Sequence, residues 1–78
     1  MNSRNIKRRH EPYSKFKAFL YENNIKQEEI AELIGKSSVA VNQKLNGTGG
    51  DFSIAEVRII CKKYNISADD FFITQKVS

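Results

Sequence analysis

The sequence predicts an all-α domain, and three observations carry that prediction. Apolar residues recur at i, i+3, i+4 in successive short stretches, a helix terminator follows each stretch, and nothing alternates with the period of a strand. The first stretch has Phe16, Phe19 and Leu20 on one face and Lys15, Lys17 and Glu22 on the other, predicting a helix from about Tyr13 to Glu22. Asn23-Asn24 stops it, because Asn tolerates turn and left-handed backbone. Ile30, Leu33 and Ile34 repeat the spacing and predict a second helix, Lys26 to Ile34, closed by Gly35. Glu28 and Glu29 in its first turn complement the positive end of the helix dipole. Ser37 is a candidate cap for a third helix, in which Val41 and Leu45 lie one turn apart and Gly47 ends the run. Ser53 and Glu56 have capping-box spacing, with Phe52 as a candidate staple on Val57. They start a fourth helix with an Ile54, Val57, Ile60, Cys61 stripe, ending near Tyr64 and Asn65. Ile66 and the candidate cap Ser67 lead into a short fifth helix with Phe71 and Phe72.

With 78 residues the chain is long enough for one domain only. So short a chain buries only about 60% of its unfolded surface, and its core must be efficient. Cys61 is the only cysteine and His10 the only histidine, so neither a disulfide nor the usual four-ligand zinc site is expected to staple it. A single thiol in an apolar stripe fits a reducing cytoplasm. No apolar run is long enough to span a membrane, and none follows the basic start as in a secretory signal. The formal net charge is +4, and its location matters more than its size. Residues 1–12 carry Arg4, Lys7, Arg8 and Arg9 against Glu11, whereas residues 13–78 carry nine basic and eight acidic side chains. Residues 1–12 are expected to form a disordered basic arm, with His10 exposed in it, and residues 13–78 the folded domain.

Two short helices joined by a tight turn containing glycine, the second without a broad apolar stripe, describe a helix-turn-helix. If Val41 and Leu45 face the core, a rotation of about 100° per residue turns Ser38, Val39, Asn42 and Gln43 outward. A purely structural surface helix would favour Glu and Lys there. Uncharged hydrogen-bonding groups suit base edges instead. Asn and Gln can bind adenine through two bonds, Ser can bind several bases, and Val can contact a thymine methyl. No carboxylate is present on this face to repel phosphate.

The run Gln27-Glu28-Glu29-Ile30-Ala31-Glu32-Leu33-Ile34-Gly35, followed by Ser37, Val41 and Lys44-Leu45-Asn46-Gly47, resembles the Cro/CI-type helix-turn-helix family of phage and bacterial repressors. The likeness runs from about Phe16 to Phe72 and includes the ending Asn65-Ile66-Ser67-Ala68-Asp69-Asp70-Phe71-Phe72. It implies a compact five-helix, lambda-repressor-like domain whose third helix enters the major groove while the second crosses the backbone. By position it implies base reading by Ser38, Val39 and Gln43, with Asn42 beside them. It implies a phosphate bond from Gln27, backbone contacts from Asn46 and Thr48, and close helix approach at Ala31. Lys26, Ser37, Lys44 and the arm residues Arg4, Lys7, Arg8 and Arg9 complete the expected backbone set. The sequence departs from the family pattern where Lys26 replaces the usual Thr or Ser cap. It departs again at Lys36, in a turn position that is often apolar, and at Val39, which cannot hydrogen-bond.

The expected function is therefore sequence-specific, repressor-like regulation of transcription through double-stranded DNA, without cofactor, metal or small-molecule substrate. The alternative is a protein-binding adaptor or antitoxin-like module on the same fold, since fold does not determine function. No catalytic constellation is present, and Gly47-Thr48-Gly49-Gly50 lacks the P-loop lysine and follows a helix. The arm has two readings, insertion into a minor groove or a tail that raises affinity nonspecifically. Phe71, Phe72 and Val77 also have two: closing the core, or pairing two copies as a homodimer.

Overall fold

The computed structural model describes residues 9–73, and all regular structure among them is helical. Four α-helices, α1 (Ser14–Glu22), α2 (Gln27–Ile34), α3 (Ser38–Asn46) and α4 (Ile54–Tyr64), are followed by a π-helical turn, α5 (Asp69–Ile73). Their ends follow local chemistry. Ser37 Oγ accepts the Ala40 N–H at the start of α3, and Ser53 with Glu56 forms a complete capping box on α4. Gly35, Gly47 and Asn65 close α2, α3 and α4 in left-handed backbone. Lys26 starts α2 with no side-chain cap, as the absence of an acceptor there predicts.

The core is one cluster in which Phe16, Ile30, Val41, Leu45 and Ile60 have no exposed surface. Leu20, Ala31, Phe52 and Phe72 complete it. Of the two readings of Phe71 and Phe72, core closure holds. The Phe72 ring lies 4.8 Å from that of Phe16 and 5.6 Å from that of Phe52, and Phe71 sets its edge on Phe19 at 5.3 Å. Tilted and edge-on pairs of this kind each add about 1 kcal/mol beyond area burial, so α5 locks α1 to the start of α4. Val77 lies outside the described residues. Cys61 is half-buried against the cluster, and burial pushes its thiol up from the ordinary value, consistent with a packing role.

His10 is not exposed. Arg9 N–H donates to the Gly47 carbonyl and Tyr13 N–H to the Leu45 carbonyl at 2.8 Å, so the segment before α1 covers carbonyls at the end of α3. The two His10 ring nitrogens lie 2.8 Å from the Glu11 carbonyl and 3.2 Å from the Gly50 carbonyl. Gly47 is required twice over. Its φ is +75°, and a Cβ there would come within 2.1 Å of the His10 carbonyl oxygen. Tyr13 O–H donates to Asp51 Oδ1 at 2.6 Å, which ties the same segment to the α3–α4 loop.

Glu56 is 8% exposed and is the buried charged residue of the described chain. Its Oε1 accepts the Ser53 N–H and lies 3.6 Å from Lys44 Nζ, while Oε2 lies 3.9 Å from Lys36 Nζ. One carboxylate thus joins the α2–α3 turn, α3 and the start of α4. Glu56→Ala removes half the capping box and leaves the nearly buried Lys44 without its carboxylate, a loss of about 2 kcal/mol. In a domain of this size that lowers the melting temperature by roughly 10 °C, measurable by circular dichroism. An unchanged melting temperature would remove Glu56 from the framework. Burial first, then the hydrogen bond and charge of Asp51, push the Tyr13 phenol well above its ordinary value of 10. The folded state therefore keeps this proton longer than the unfolded state does. The resulting stability is complete below pH 10 and declines as pH rises above it. Alkaline melting curves of Tyr13→Phe are expected to fall less steeply than those of the native chain. The raised Tyr64 phenol contributes the same sign to both proteins, so the difference isolates Tyr13.

Candidate nucleic-acid interface

The rotation of α3 sorts its side chains onto four sides. Val41 and Leu45 are fully buried against the core. Val39 is 67% exposed, Gln43 is also exposed, and both point away from that seam. On the side facing α2, Asn42 Nδ2 donates to Gln27 Oε1 at 3.3 Å. On the side facing α4, Lys44 Nζ donates to the Asp51 carbonyl at 2.9 Å and sits 5.9 Å above the Phe52 ring. Of the expected backbone set, Lys44 is the one turned inward: its side chain is 12% exposed and its partners are Asp51 and Glu56.

The remaining expected residues fall around α2 and α3. Ser38 is half-buried in the first turn of α3, and Ser37 is exposed with its oxygen used as the cap. Lys26 is exposed at the start of α2, beside the half-buried Gln27. The Gln27 oxygen is taken by Asn42, which leaves the amide N–H₂ as the group to offer an anion. Asn46 accepts from Lys17 Nζ at 2.5 Å and donates to the Asn42 carbonyl at 2.9 Å, so it braces the helix end from within. Thr48 is half-buried, its N–H bonded to the Gln43 carbonyl at 3.0 Å. Gly49 lies along the Gln43 side chain out to its amide, so that a Cβ there would come within 2.6 Å of Gln43 Oε1 and 2.7 Å of its Cβ. Of the arm residues, Arg9 is exposed, while Arg4, Lys7 and Arg8 lie outside the described residues.

Lys17 was not among the expected contacts. In the sequence it is one more polar residue on the outer face of α1. Its bond spans 29 positions to Asn46, a separation that no local pattern reveals. Through it, Lys17, Asn46, Asn42 and Gln27 form a continuous polar chain across α1, α3 and α2.

The arrangement offers an exposed face without acidic residues on α3, beside a helix start whose first N–H groups have no side-chain cap. Among the described residues no cluster of His, Cys, Asp or Glu could hold a metal ion, and no helix is long and apolar enough to cross a membrane. No curated protein and no solved structure matches the chain. The helix-turn-helix family profile matches residues 17–71, from the second turn of α1 into α5. That span takes in both helices of the motif, its tight turn and most of the core around them, and the chain belongs to the Cro/CI-type helix-turn-helix family of DNA-binding transcription regulators.

Proposed function

We propose that the protein is a sequence-specific, repressor-like regulator that reads a short duplex site with α3 in the major groove. The observation that carries this reading is the outward face of α3, where the exposed Val39 and Gln43 flank Asn42 and no carboxylate intervenes. Gln43 offers an amide to a base edge and Val39 a methyl surface to thymine, each good contact being worth about 1–3 kcal/mol of discrimination. Ser38 completes the reading set at the first turn. Asn42 holds Gln27 and presents its remaining oxygen. Lys26, Gln27 and Ser37 face the backbone at adjacent helix starts, with Asn46 and Thr48 fixing the far end of α3 and Arg9 opening the basic arm.

The same exposed face would serve a protein partner equally well in shape, because Val39 is apolar. Salt separates the two readings. Released counterions make DNA affinity fall steeply as salt rises, whereas a packed protein interface is far less sensitive. The direct test is selection from a random-sequence duplex pool at two salt concentrations. Enrichment of a short site, weakened by salt, supports the proposal, and half-site spacing reports whether two copies bind. Absence of enrichment and of salt-sensitive retention favours the protein-binding module.

Val39→Ala combined with Gln43→Ala is expected to cost about tenfold or more in preference for the selected site, while melting stays within a few degrees. A collapse of the melting temperature would instead assign the pair to the framework. Truncation of residues 1–8 spares the Arg9–Gly47 bond and removes Arg4, Lys7 and Arg8. It should weaken binding to all duplexes and flatten the salt slope. Unchanged binding would retire the arm from the interface.

A further inference from the structure

The loop after α3 carries two adjacent glycines, Gly49 and Gly50, and neither has the left-handed backbone of Gly35 and Gly47. Backbone conformation therefore does not require glycine at either position, and the space around them differs. A Cβ on Gly50 would meet only the end of the Lys44 side chain, at 3.8 Å, which is ordinary contact. A Cβ on Gly49 would lie 2.6 Å from Gln43 Oε1, 2.9 Å from its Cδ and 2.7 Å from its Cβ. The amide end could swing aside, but the Gln43 Cβ is fixed by the backbone of α3. Any side chain at position 49 therefore forces the loop or the helix end to move. The chain turns back over Gln43 because the Gln43 carbonyl accepts the N–H groups of both Gly47 and Thr48.

The loop itself is held from two sides. From the segment before α1, Arg9 N–H donates to the Gly47 carbonyl, His10 Nε2 lies 3.2 Å from the Gly50 carbonyl, and Tyr13 O–H donates to Asp51 Oδ1. From α3, Lys44 Nζ donates to the Asp51 carbonyl at 2.9 Å. Gly49 sits between these anchors, where the loop meets the exposed face of α3. We infer that Gly49 is a positioning residue for base reading. Its bare backbone is a rest along which the Gln43 side chain lies, and it fixes the direction from which the amide meets a base edge. The inference rests on the proposed reading of α3 and deepens it, giving one reading side chain a support outside the helix. A free glutamine has several torsions to settle on binding, and one laid along an anchored loop has fewer left to lose. Two-bond recognition of a base needs donor and acceptor aligned together, so displacing the amide from this rest costs discrimination.

The test compares Gly49→Ala with Gly50→Ala, which adds the same methyl at the neighbouring position where there is room. Affinities are measured for the selected site and for each single-base change of it. Gly49→Ala is expected to lose about tenfold in preference at the base pair that Gln43→Ala also relaxes, with the salt slope unchanged. Gly50→Ala is expected to read the site as the native chain does. In the Gln43→Ala background, Gly49→Ala should add no further loss of preference, because the amide through which it acts is gone. Crowding at position 49 is also expected to lower the melting temperature by a few degrees, with or without the Gln43 amide, so this cost cancels in the comparison. In the native protein without DNA, nuclear Overhauser contacts are expected between the Gly49 α-protons and the Gln43 side-chain amide. A freely rotating amide without such contacts would overturn the inference, whatever the variants do. Unchanged preference in Gly49→Ala, or an equal further loss in the Gln43→Ala background, would also overturn it while leaving base reading by α3 in place. Failure of the native chain to select any site would sink both.

Discussion

The structure depends on holding a helix that has very little to bury. Val41 and Leu45 are the only residues of α3 fully within the core, and two apolar side chains do not orient a helix of nine residues. Polar ties on three sides supply what the seam lacks. Asn42 is bonded to Gln27 of α2, Asn46 to Lys17 of α1, and Lys44 to Asp51 before α4 and near Glu56 within it. The segment before α1 then covers the carbonyls of Leu45 and Gly47. Each tie is worth at most a few kcal/mol, and together they leave α3 one orientation. The outward face is what remains after the other three sides are committed.

That division explains what could be read in the sequence. Helix ends were legible because their causes are local. Ser37, Gly35, the Ser53–Glu56 pair and Asn65 act within four residues of themselves, and each sits where its chemistry predicts. The core stripes followed from period. The roles of Lys44 and Asn46 did not follow, because a lysine or asparagine near a helix end looks the same whether its partner is phosphate or protein. The deciding partners of Asn46 and Glu56 lie on other elements, 29 positions away for Lys17 and on the far side of a loop for Lys44. The place of His10 is hidden in the sequence for a related reason. Its basic neighbours gave the segment the look of a tail, while the Gly47 and Gly50 carbonyls that fix it lie far along the chain.

Glu56 and Lys44 show how the fold economises on charge. A carboxylate 8% exposed would be costly alone, yet here it completes a helix cap and faces two ammonium groups. Lys36 also gains a reason to occupy its turn, since its Nζ reaches the same carboxylate. Lys44 is thereby turned toward the start of α4, while Lys17 reaches the end of α3 from α1 through Asn46.

On the proposed reading, Lys26 and Gln27 at the start of α2 grip one strand through contacts that do not depend on sequence, while α3 contributes few base-reading side chains, one of them an apolar valine. With about 1–3 kcal/mol for each good base contact, such a set discriminates modestly on a single half-site. Preorganisation offsets part of that shortfall. Because Asn42, Asn46 and Lys44 are already bonded, little rotamer freedom on the flanks of α3 remains to be lost on binding. The exposed side chains of this face are Val39, which has a single torsion, and Gln43, which Gly49 packs against from its base to its amide. Specificity would then come less from the number of contacts than from the one pose in which they are presented.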